Sequence, residues 1–224
     1  MRYSMFVALS ALALAAWTPD PGRASPEREE DPIAEASEDL VTQLLAGKEH
    51  AVTASLREID AGLLHSTAAD PKLLEARGLL VALRTHWNRG ERASAALAAN
   101  QLSLLFPEES GSSDARFAAL QRLDFLGREI LIRSQLPSGK AAAEEGDPAS
   151  LNAAIAETST VWGGVRSQFL PVTQRAAKTL ARFDQLVLDL DRDRSPERLK
   201  RSASELLEEV DRLEDLAARA RLRD

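Results

Sequence analysis

From about residue 32 onward, apolar positions recur three, four or seven residues apart, which is the period of an amphipathic helix. Val41, Leu45, Val52, Leu56, Ile59 and Leu63 share one face and predict a long first helix. Leu73, Ala76, Leu80, Leu83 and Trp87 predict a second, stopped by Asn88-Arg89-Gly90. An Ala-rich third helix then runs to about Phe106, where Pro107 and Gly111 end it. Phe117, Leu120, Leu123 and Ile130 mark a fourth. Leu151, Ile155, Thr158, Trp162 and Val165 mark a fifth, interrupted by Gly163-Gly164. Beyond Pro171 a sixth carries Val172, Ala176, Leu180, Phe183, Val187 and Leu190. The last stripe, Leu199, Ala203, Leu206, Val210, Leu213 and Ala217, is the most regular and comes close to a coiled-coil seam.

Helix starts agree with this periodicity. Asp31-Pro32, Asp70-Pro71, Asp147-Pro148 and Ser195-Pro196 each place a capping side chain before a proline that suits the first helical position. Ser112-Ser113-Asp114 offers a further start. Sustained alternation, the mark of a strand, is nearly absent. The expectation is an all-α protein, an antiparallel helical bundle of six to seven helices. Pro137, Gly139 and Gly146 make 137–147 the candidate loop between an N-terminal helical half (32–136) and a C-terminal half (148–224). Asp70-Pro71 with Trp87 and Asp147-Pro148 with Trp162 form a faint echo, which suggests two helical-hairpin halves. Gly127 costs its helix about 1 kcal/mol against alanine, so close packing of a neighbouring helix is expected there.

The first 24 residues read differently. Arg2 followed by the apolar stretch from Met5 to Ala16 resembles a secretory signal peptide. Small residues place cleavage after Ala15 or after Ala24, and Pro19, Pro21 and Gly22 favour the second. Thr18-Pro19-Asp20 ends the apolar stretch before the ~20 residues that a membrane anchor needs. Residues 25–31 then form a flexible acidic tether. The expected location is the periplasm or the secreted fraction.

Composition narrows the chemistry. The chain has 224 residues, a formal charge of −7 and no Cys; both Met residues and the single Tyr lie in the first five positions. Thiolate metal sites, disulfides and Cys nucleophiles are excluded. The negative charge gives no electrostatic route to nucleic acid or to an anionic bilayer, so neither is expected as a partner beyond the export signal itself. His50, His65 and His86 are the only imidazoles. The first two stand about 22 Å apart along one helix, too far to chelate one metal. No phosphate loop, nucleophile elbow or His-Glu-x-x-His motif occurs. No catalytic residue, cofactor or metal is expected.

Two weaker features remain. Trp87, Trp162 and His86, near helix ends, are candidate walls of a small-ligand pocket. Leu199, Leu206, Val210 and Leu213 are candidate contacts for a partner protein or a second copy, unless the chain's own core consumes them. The reading is an exported, non-catalytic binding or scaffolding protein, an accessory of an envelope complex. A small-ligand or metal-binding bundle is the alternative, and a carboxylate-based enzyme a distant third.

Overall fold

The computed structural model describes residues 32–65, 71–106, 115–136, 148–169 and 173–221. These residues are all-helical and contain no strand. Eight α-helices follow one another: α1 (Pro32–Ala46), α2 (Glu49–His65), α3 (Pro71–Asn88), α4 (Arg92–Leu105), α5 (Ala115–Arg133), α6 (Pro148–Val165), α7 (Gln174–Arg192) and α8 (Pro196–Arg221). A 3-10 turn, Arg166–Gln168, extends α6. None of the described helices is long and apolar enough to cross a membrane. The leader and the tether lie outside the described residues, as does 137–147.

All four prolines of the sequence reading stand at the first position of a helix (α1, α3, α6 and α8). The long first helix is corrected. It is two helices, α1 and α2, folded back at Gly47 with φ +66°. Gly47 N–H donates to the Leu44 carbonyl (3.1 Å) and Lys48 N–H to that of Gln43 (3.0 Å), the Schellman arrangement that satisfies the last carbonyls of a helix. The same bonds recur at Gly90, φ +77°: Gly90 to Trp87 (2.9 Å) and Glu91 to His86 (2.9 Å). Periodicity alone hid the first turn because Val41, Val52 and Ile59 all face one core on either side of it. Gly163-Gly164 do not interrupt α6 either, which runs through them to Val165. The helix expected beyond Pro171 is α7; it begins at Gln174, where Thr173 Oγ1 accepts from Ala176 N–H at 3.1 Å.

Packing sorts the helices into two groups of four. In the N-terminal group α1 lies against α2 and α4, and α3 lies against α4. In the C-terminal group α5 lies against α6 and α8, and α7 lies against α8. The order of neighbours, α2-α1-α4-α3, is thus repeated as α6-α5-α8-α7. Each group has its own buried apolar cluster, and the clusters part between α4 and α5: Phe117, Leu120 and Leu123 of α5 belong with α6–α8. The tryptophan echo pairs α3 with α6, which hold different places in that order.

Gly127 shows how tightly the second group is drawn together. A Cβ there would meet Leu207 Cδ2 at 2.8 Å and Leu206 Cδ2 at 3.0 Å, so α8 rests on the α5 backbone. This is the close approach expected from a mid-helix glycine.

Candidate functional site

The α8 seam is spent inside its own group. Leu199, Leu206, Val210 and Leu213 are at most 2% exposed and pack among α5, α6 and α7 residues. The candidate partner contact at these four positions is therefore corrected: burial against the chain's own helices leaves no apolar face there to offer. The candidate ligand pocket is corrected as well. Trp162 is buried in the C-terminal cluster and Trp87 packs half-buried on the N-terminal one, so the two stand in separate cores. His86, beside Trp87, shares a 2.7 Å hydrogen bond between Nδ1 and Glu91 Oε2.

Trp162 instead organises the α6/α7 contact. Its ring packs on Phe183 (centroids 4.3 Å apart) and Phe169 (6.0 Å), and Nε1–H donates to Asp184 Oδ1 at 2.7 Å. Arg166 donates to both oxygens of the same carboxylate, at 2.9 and 3.0 Å. Burial pushes the Asp184 carboxyl up, but the bonds from Arg166 and Trp162 outweigh it and hold the group below its usual range. Asp184 is thus a structural clamp between α6 and α7.

A second polar cluster ties the two groups together. Asn100 of α4, 1% exposed, donates through Nδ2 to the Phe125 carbonyl of α5 at 3.2 Å. Ile132 of α5 inserts into the N-terminal cluster. Arg128 of α5 donates through Nη2 to Glu38 of α1 (2.9 Å) and to Asp124 (2.7 Å), while its buried Nε has no partner among the described residues. Burial alone would lower the Arg128 pKa; the charges of Asp124, Glu38 and Glu214 more than offset this and raise it. Above it opens a cleft of about 310 Å³, walled by Phe125, Arg122, Asp211 and Glu214 among others. Burial and then the Glu208 carboxylate push the Asp211 carboxyl above its usual range. Two arginines among four carboxylates give this cleft a negative field, but among the described residues no group of three His, Cys, Asp or Glu is placed to hold a metal.

The α2/α3 side of the N-terminal group is different. The two helices do not pack backbone to backbone, and an ion pair from Arg84 to Asp60 bridges them. Between them lies a groove of about 370 Å³ with Leu63 and Leu80 as its floor. Leu64 (79% exposed) and Val81 (64%) form its apolar rim, Leu74 (67%) continues it along α3, and Arg77 lines it too. The sequence held a signal for this face in its doubled apolar positions, Leu63-Leu64, Leu73-Leu74 and Leu80-Val81. One member of each pair fills the stripe, and its neighbour, 100° around the helix, is left over.

Compared with known proteins, the chain matches no family model, no curated protein and no solved structure.

Proposed function

We propose that this is an exported, non-catalytic protein-binding module, made of two antiparallel four-helix bundles and working as a scaffold or accessory in the periplasm. The carrying observation is the distribution of exposed apolar side chains. Of the five large ones on the described surface, three (Leu64, Leu74 and Val81) gather on α2 and α3 around one groove. A gathered apolar rim with charges beside it is the usual mark of a contact surface, whereas scattered apolar residues need no explanation. The leader-like first 24 residues support export. Short turns at Gly47 and Gly90 support antiparallel neighbours.

The test is site-specific photo-crosslinking in the source cell, with the crosslinker at Val81 and, for comparison, at Leu188 of α7. A discrete protein adduct from Val81 alone supports the reading; equal or no adducts from both positions contradict it. The first residue of the exported protein tests localisation, and a retained Met1 would contradict cleavage. A second reading, a small polar ligand held over Arg128, draws support from the orphaned buried Nε of that side chain. A thermal-shift screen with small zwitterions and neutral polar molecules tests it, since a ligand of the folded form raises the melting temperature.

A further inference from the structure

The partner chemistry of the α2/α3 groove can be read from its charges and from one glycine. Leu74, Gly78, Val81 and Thr85 follow one another at helical spacing along the outer face of α3. Gly78 lies in mid-helix, and a Cβ built on it meets nothing within 4 Å. Among the described residues no neighbour requires a glycine there, although it weakens the helix by about 1 kcal/mol. At Gly127, the mid-helix glycine of α5, a packed helix does fill the space a side chain would take. The α3 face therefore has the profile of a close helix contact whose second helix is absent: large apolar residues on either side of a gap.

Charge decides which helix fits. Arg77 and Arg84 lie on the flank of that stripe facing the groove, together with Asp60. Asp60 is engaged by Arg84, whereas Arg77 has no ion pair among the described residues. The groove is thus locally basic on a chain of formal charge −7. A second copy docking α3 on α3 antiparallel about a two-fold axis would bring one arginine flank against the same flank of the other copy, which like charges disfavour. A helix with carboxylates along one flank meets no such penalty.

We propose that the groove between α2 and α3 docks an amphipathic helix of a partner protein, with apolar residues at three- and four-residue spacing entering beside Gly78 and acidic residues facing Arg77. This rests on the protein-binding reading above. It follows the general helix-in-groove mode, in which apolar anchors give affinity and flanking charges give selectivity.

Three designed, fluorescently labelled helical peptides test it by anisotropy against the full mature chain. One carries leucines at the required spacing with glutamates on one flank, one has lysines in place of the glutamates, and one has the first composition scrambled. The glutamate peptide should bind at least about tenfold more tightly than the other two, a difference of about 1.4 kcal/mol. Arg77→Glu should reverse the preference between glutamate and lysine peptides, a gain of binding that misfolding cannot imitate. Val81→Glu should abolish binding while circular dichroism stays unchanged. Equal binding of all three peptides, no binding, an unreversed preference in R77E, or a concentration-dependent dimer that V81E dissolves would each overturn the proposal. If the peptides fail while Val81 still crosslinks to a protein in the cell, the partner chemistry is wrong and the binding-module reading stands. If both fail, that reading goes as well.

Discussion

The two groups of four helices share one order of neighbours and finish it in opposite ways. In the C-terminal group α6 and α7 are joined by Trp162, which stacks on Phe183 and Phe169 and is tied through Asp184 to Arg166. In the N-terminal group the corresponding helices, α2 and α3, have no aromatic between them among the described residues; the Arg84–Asp60 pair spans a groove rimmed by exposed Leu64 and Val81. The C-terminal group closes this pair with aromatic packing, and the N-terminal one leaves it with exposed apolar side chains. A helical group can leave one pair of helices apart only if its other contacts suffice. Here α1 and α4 form the central pair of the open group, with Leu40, Leu44, Ala95, Ala99 and Leu102 all at most 0% exposed.

The sharpest way to break the comparison is to cut each face in turn. Trp162→Ala should cost about 4 kcal/mol, the range for a large buried aromatic, whereas Val81→Ala should change stability by no more than about 0.5 kcal/mol. Urea unfolding of both variants checks this; similar losses would mean that the α2/α3 rim is core after all. Next in size is the joint. Arg128→Ala removes the link between α5 and α1 and should destabilise by about 2 kcal/mol, the scale of hydrogen bonds to charged groups. Differential scanning calorimetry should then show the two groups melting less cooperatively. The glycines come third: Gly78→Ala should raise stability by about 1 kcal/mol, and Gly127→Ala should bring no such gain because Leu207 must move.

The smallest expected effect is on pH. The carboxyl of Asp184 has a folded-state pKa below the ordinary 3.8, so its contribution is complete above that value and is lost as pH falls through the lower, folded one. With Trp17 and Trp87 both replaced by Phe, Trp162 emission should hold steady to below pH 3.8 and change beneath it; Asp184→Asn should remove that step. A transition centred above the ordinary value would contradict the clamp.

Much of the local structure follows from residues visible in the chain. The Asp-Pro and Ser-Pro pairs mark where α1, α3, α6 and α8 begin, and Gly127 correctly anticipates a close helix. What misled was tertiary in origin. The α1/α2 turn keeps the spacing of Val41, Val52 and Ile59 in step across Gly47, because both helices serve one core. The regular α8 stripe looks like a seam for a partner, yet α5 and α7 use it completely. The open face was missed for the converse reason: Leu64, Leu74 and Val81 each sit beside a true core residue, and a single helical stripe counts only one of the two.

The central claim is that the α2/α3 face is open and available for binding, and the absence of Cys makes it directly measurable. Single cysteines at Val81 and Leu188 can be labelled with a thiol reagent in the native protein, with and without the glutamate-flanked helical peptide. The account predicts fast labelling at both sites in the free protein and slowing at Val81 alone when the peptide is present. Slow labelling of Val81→Cys in the free protein, or equal protection of both sites by the peptide, would contradict it.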